Sequence, residues 1–290
     1  IHQYKNRVLF LTTLKCFGYC RYCFRKNLTF ETSGASKYAS KDLPLQNAAS
    51  QDASSKGANN DELEKIYQYL SQHDEIQEIL FSGGDPLMLP NAALFDLIAR
   101  IRQSRPKILI RICTRSLFFA PERFTDETIE LLRSAKPLWI IPHINHPYEI
   151  DEKFAPNSVK AIEKILDAGI SMQSQTVLLR GVNDNVETLS CLFENLTKLG
   201  IKPGYLFQLD LAKGISHFRV PIDEAVQLYE KLRSELSGLS LPTFAVDLPS
   251  GGGKFNLLQL ESGNATTKVI KHDDKYEFVR GGKSYFYPRT

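Results

Sequence analysis

Long apolar runs are missing from this sequence. No stretch of its 290 residues approaches the roughly 20 consecutive apolar positions that a membrane-spanning helix requires. Its first residues do not read as a cleavable leader, so no membrane is expected among its partners. The chain starts at Ile1 and not at Met, as a processed product or a fragment would. Clustered positive charge is missing too. Lys and Arg number 36 against 33 Asp and Glu, and the net charge of +3 forms no basic run. A nucleic-acid groove built on phosphate attraction is therefore not expected. Cysteine is scarce: five residues are too few for a disulfide scaffold, and three of them fall within eight positions. Such crowding points to a metal or redox site in a reducing compartment, hence a cytoplasmic location. Cys113 and Cys191, in apolar surroundings, read as buried structural thiols.

What is present is a rhythm. Short apolar runs read as strands at 8–13, 78–82, 108–113, 138–142, 173–179, 204–209 and 243–247. Helical patterns at 61–71, 92–103, 126–134, 156–168, 186–199 and 223–237 separate them. From the second strand on, the recurrence of about 30 residues is that of a βα unit. The expected fold is α/β: a partial (βα)6-type parallel TIM-like barrel, one domain over 1–290, with N- and C-terminal extensions. In such folds chemistry gathers at the C-terminal ends of strands. Residues 32–60, rich in Ser, Ala, Asn and Lys, read as a flexible insertion, and 248–290 as a C-terminal loop and extension.

Directly after the first strand the chain reads KCFGYCRYCFR, spacing Cys16, Cys20 and Cys23 as C-x3-C-x2-C. Three thiolates on one short loop suit a cluster of iron and sulfide and are one short of saturating four irons. A zinc site would want a fourth Cys or His at matching spacing, and none stands close by. After the second strand comes SGGDP, Ser82, Gly83, Gly84, Asp85 and Pro86, where glycines let backbone approach a neighbour closely. After the last strand comes DLPSGGGK, ending on Lys254. Phe255 follows that lysine, so the nucleotide phosphate-loop pattern fails. A lysine on a close-approach loop suits a Schiff base with an aldehyde cofactor, or else a solvated surface position.

The cysteine spacing, with Tyr22 before the last Cys, resembles the radical S-adenosylmethionine superfamily. Its fold would make the barrel of the radical SAM kind. The stretches CRYCFRK, FSGGDPLM, IRICTRS, HINHPYEI, QTVLLRGVNDN, LDLAKGISHFRVP and PTFAVDLPSGGGK, in this order, resemble the lysine 2,3-aminomutase family. That resemblance implies a [4Fe-4S] cluster on the three cysteines, with S-adenosylmethionine contacting Tyr22, Ser82, Gly83, Gly84, Asp85 and Gln175. It implies pyridoxal 5′-phosphate on the catalytic Lys254, its phosphate met by Tyr4 and Arg7. It also implies a lysine substrate whose carboxylate pairs with Arg25 and whose distal ammonium meets Asp210 and Asp247. A 5′-deoxyadenosyl radical would take hydrogen from the β-carbon, and the amino group would move from the α- to the β-carbon. The partners implied are a small amino acid and an electron donor of flavodoxin or ferredoxin type.

The sequence departs from the family in places. Gln3 stands where a cation would help hold the phosphate, Asn185 where the family has a zinc ligand, and no Cys follows Cys191. The family's zinc site is not expected, and a homo-oligomer is left open. His143, Asn145 and His146 read either as cavity residues or as a satisfied buried network. Alternatives are an aminomutase for arginine or another cationic amino acid, supply of β-lysine for elongation-factor modification, or a radical enzyme acting on protein without the aldehyde cofactor.

Overall fold

Alternation of buried and half-buried positions marks the first strand, β1 (Arg7–Thr13), where Val8, Phe10 and Thr12 turn inward. The computed structural model describes residues 1–26 and 60–290. The insertion expected at 32–60 lies outside them except for its last residue, which opens a helix. By Cα packing the chain divides into two compact units, one of Ile1–Ile140 with Asp167–Ser171, the other of Ile141–Leu166 with Met172–Thr290.

In the first unit β1 pairs in parallel with β2 (Glu78–Gly83), and β2 with β3 (Leu109–Thr114). Helices α1 (Asn60–Gln72) and α2 (Asn91–Ser104) connect them. Helix α2 buries Leu94, Leu97, Ile98 and Ile101, the i, i+3, i+4, i+7 stripe of an amphipathic helix. Helix α3 (Asp126–Ser134) starts where the Thr125 side chain accepts a bond from the Thr128 amide. Strand β4 (Leu138–Pro142) follows it.

In the second unit β5 (Ser171–Val177), β6 (Lys202–Phe207) and β7 (Thr243–Leu248) pair in parallel. Helix α4 (Pro156–Asp167) precedes β5, and α5 (Val186–Lys198) and α6 (Ile222–Glu235) make the two crossovers. Asn185 caps α5 through the Thr188 amide, which gives that residue a structural use. In the same unit β7 pairs antiparallel with a short strand, β8 (Gly253–Asn256).

Six βα units ending on a seventh strand are the α/β class expected. Strands β5 and β6 end two residues before their apolar runs, because Leu178, Leu179 and Leu209 are buried in the loops that follow them. The last residues are more than an extension: β9 (Thr267–Lys271), β10 (Lys275–Arg280) and β11 (Lys283–Pro288) form an antiparallel sheet. Gly281 and Gly282, with φ of 57° and 74°, make the two-residue turn between β10 and β11. Asp223, at the start of α6, accepts from Arg289 at 2.6 and 3.1 Å and from the Tyr276 hydroxyl, fastening this sheet to the helix. Cys191 is exposed on α5 and Cys113 half-buried, so neither is the buried thiol expected; Cys191 falls on the outer face of its helix. Among the described residues no helix is long and apolar enough to cross a membrane.

Candidate active site

Past the C-terminal end of β1 the cysteine loop alternates in exposure. Lys15, Phe17, Tyr19, Arg21 and Phe24 face outward, while Cys16, Cys20 and Cys23 are half-buried. The Cys23 amide donates to the Cys20 carbonyl at 3.1 Å, closing a turn between these two cysteines. Burial, then the charge of Asp85 and the neighbouring Cys23 and Cys20, push the Cys16 thiol up to about 12, against the pull of Arg25.

The glycines after β2 serve this loop. The Gly84 amide donates to the Thr13 carbonyl at 2.6 Å and the Asp85 amide to the Lys15 carbonyl at 2.7 Å. A Cβ on Gly84 would lie 2.1 Å from the Lys15 carbonyl oxygen, and one on Gly83 (φ 117°) 2.2 Å from that of Thr13. The close approach is therefore to the cysteine loop's own backbone.

Arg25 donates to the Ser82 hydroxyl at 2.9 Å and to the Gly83 carbonyl at 3.4 Å. Asp85 is buried. Its carboxylate accepts from the Thr114 hydroxyl at 2.8 Å, the Arg115 amide at 2.9 Å and the Leu87 amide at 3.0 Å. Arg115 in turn donates to the Tyr22 hydroxyl. Thus Tyr22, Arg25, Ser82, Gly83, Gly84 and Asp85 are brought together around the cysteines. Tyr4 and Arg7 are not. They pair with each other, guanidinium 4.0 Å from ring centroid, at the N-terminal end of β1. The length of that strand, about 20 Å, separates them from the cysteine loop.

In the second unit the β7–β8 hairpin sets Asp247 opposite Lys254. The ammonium lies 3.2 Å from the carboxylate and 5.3 Å from the Phe207 ring centroid. Lys254 is thus held in a strand and not on the loop expected: Phe255 is buried beside it, and alternation turns the lysine to the other face. Asp210 is half-buried just past β6. Gln175, on β5, is half-buried, bridges His143 and accepts the Ile144 amide through its main-chain oxygen. Asn145 is a satisfied network residue: its side chain accepts from the Val177 amide, its amide donates to Glu149, and its carbonyl accepts from Asn183. His146 caps the turn at Tyr148.

The sequence pattern of the Radical SAM superfamily matches residues 10–191. A Treponema pallidum (strain Nichols) protein named "Putative L-lysine 2,3-aminomutase" is 46% identical over 99% of this chain and 74% of its own length. The chain belongs to the lysine 2,3-aminomutase family of radical SAM enzymes. The L-lysine 2,3-aminomutase of Fusobacterium nucleatum is 35% identical over 87% of this chain and 53% of its own, so the chain spans about half of that relative. The solved structure of Streptococcus suis SuiB bound to S-adenosylmethionine covers 89% of this chain and 55% of its own, with a TM-score of 0.56 at 12% identity. That likeness shows the fold, the partial parallel barrel of radical SAM proteins.

The aminomutase groups can be tested against these residues. Among the described residues no three Cys, His, Asp or Glu side chains converge to hold a single metal ion. A four-iron cluster binds each thiolate at a different iron, and three half-buried cysteines on one loop suit it. Lys254 fits an aldehyde cofactor as a half-buried primary amine held in place by its hairpin.

Sequence reasoning missed the use of Thr114 and Arg115, which had only been part of a matching stretch. It also missed two residues of the C-terminal sheet. Arg280 donates to the carbonyls of Gly252 and of Lys254 itself, and Tyr287 to that of Leu209, just before Asp210. A Gly-Gly pair between alternating runs was the available signal.

Proposed function

We propose that this chain catalyses a 2,3-amino shift on L-lysine, giving β-lysine. The observation that carries the reading is the 3.2 Å contact of Asp247 with the ammonium of Lys254. The carboxylate expected to hold the substrate's distal ammonium here holds the same chemical group, a primary alkylammonium. When bound, the reduced cluster with S-adenosylmethionine supplies a carbon radical, and pyridoxal phosphate supplies the conjugated linkage through which the nitrogen moves.

The chain's own residues do the rest. Cys16, Cys20 and Cys23 are the cluster ligands, and Ser82–Gly84 with Gln175 and Tyr22 are the contacts of the adenosylmethionine. Asp85 spends its carboxylate on the turn that carries them. Arg25 is the partner of the substrate carboxylate, its plane set by Ser82 and Gly83. Asp210 and Asp247 give two negative charges for the far end, where charge-assisted bonds are about twice as strong as neutral ones. Glutamate would instead bring a third carboxylate to that end, where like charges repel. A phosphate contact by Tyr4 and Arg7 belongs to the proposal as well. An unchanged cofactor affinity in Arg7→Ala removes them from it. We further infer a flavodoxin- or ferredoxin-type donor and a cytoplasmic setting that keeps cluster and thiols reduced.

The test is anaerobic: reconstituted protein with pyridoxal phosphate, S-adenosylmethionine, reductant and L-lysine, analysed by mass spectrometry. β-Lysine with 5′-deoxyadenosine is expected. Deoxyadenosine formed only with arginine, or only with a protein added, overturns the substrate. Asp247→Ala is expected to raise KM for lysine roughly tenfold, through loss of one charge-assisted bond.

A further inference from the structure

We propose that the C-terminal antiparallel sheet positions the two parts of the site in its unit, with Arg280 setting the lysine strand and Tyr287 setting the aspartate loop. This rests on Lys254 as the cofactor lysine and Asp210 as a substrate carboxylate.

Strand β8 is the last strand of its sheet, with β7 on one side only. Its outward edge takes its partner from outside that sheet. Arg280 supplies it: its guanidinium donates to the Gly252 carbonyl at 2.7 Å and the Lys254 carbonyl at 3.1 Å. Its third direction is fixed by the Thr267 hydroxyl at 2.7 Å. Carbonyls two residues apart point to the same edge of a strand, and the planar fork of an arginine matches that pair. With the Lys254 carbonyl turned away from β7, Asp247 and Lys254 form the kind of antiparallel pair whose side chains approach most closely. The turn before the lysine is backed by the same sheet: a Cβ on Gly252 would lie 2.7 Å from the Tyr285 ring, so glycine there lets Tyr285 lie against the backbone.

Tyr287 is fully buried, and its hydroxyl donates to the Leu209 carbonyl at 2.5 Å. Leu209 is the residue before Asp210, so this bond anchors the backbone directly beside the aspartate. Burial raises the phenol's pKa, against the influence of Arg219 and Gln208, so it remains a donor. Arg280 and Tyr287 therefore act through backbone on different residues, and their losses should be separable.

Arg280→Lys keeps charge and stem but cannot span both carbonyls, and Tyr287→Phe removes one hydroxyl. Each is compared with wild type for the imine absorbance band formed with pyridoxal phosphate, for borohydride trapping on Lys254, and for the perturbation of the band by L-lysine and by norleucine, which lacks the distal ammonium. Arg280→Lys should weaken imine formation roughly tenfold. Tyr287→Phe should leave the imine intact and weaken lysine, but not norleucine, about fivefold. Wild-type imine affinity in Arg280→Lys overturns the proposal. So does a loss of both readouts in both variants in step with their melting temperatures. Absence of any imine in the wild type instead overturns the assignment of Lys254.

Discussion

At Gly84 a single hydrogen atom separates two backbones. The Lys15 carbonyl oxygen lies 2.1 Å from where its Cβ would be, and neither partner is the flexible end of a side chain that could step aside. Gly84→Ala should therefore displace the cysteine loop and lower iron and sulfide per chain after reconstitution, with helix content by circular dichroism retained. Gly181 is the contrast. Its φ of 72° is unfavourable for an L-residue, but nothing lies within 4 Å of the added carbon. Gly181→Ala should cost about 1 kcal/mol in denaturant unfolding and leave the cluster content unchanged. Both glycines look alike in sequence; only the partner across the gap distinguishes them. Asp85 carries a similar lesson. Its place in SGGDP was legible, but its service to Thr114 and Arg115, some thirty residues on, was not.

Among elements, the joint between α6 and the C-terminal sheet turns on Asp223. Burial alone would raise its carboxyl, but hydrogen bonds from Tyr276 and Arg289, with Lys271 nearby, outweigh that and bring it below its ordinary 3.8. A carboxyl depressed in the folded state contributes its full stability above its unfolded pKa and loses it as pH falls through the folded value. The melting-temperature gap between wild type and Asp223→Asn should then be constant above about pH 5 and close progressively in acid below the ordinary carboxylate range. A gap that persists unchanged at the lowest pH where the protein folds would exclude the ionised carboxylate as its cause. The helices and parallel strands of both units were readable because each carries its period in its own residues. The C-terminal sheet was not read as strands, although its Gly-Gly turn announced a hairpin.

For the molecule as a whole, the cluster cysteines and Lys254 belong to different compact units. Loading of the two groups should be independent. Chelating iron should abolish adenosylmethionine cleavage and leave the imine band, while Lys254→Ala should abolish the band and leave iron content unchanged. If iron removal erased the band, the two groups would not load independently.

By itself the sequence determined the six βα units, the cysteine triad, the Gly-rich stretches and the family to which they belong. Each of these is written in local spacing or in the order of motifs along the chain. Only the tertiary structure decided that Lys254 lies in a strand against Asp247, and that Gly83 and Gly84 press on the cysteine loop. It also separated Tyr4 and Arg7 from the cysteines by the length of β1, and brought Arg280 and Tyr287 to the backbone beside Lys254 and Asp210. Those relations depend on strand register and on contacts across long chain separations, and neither is encoded by any one segment alone.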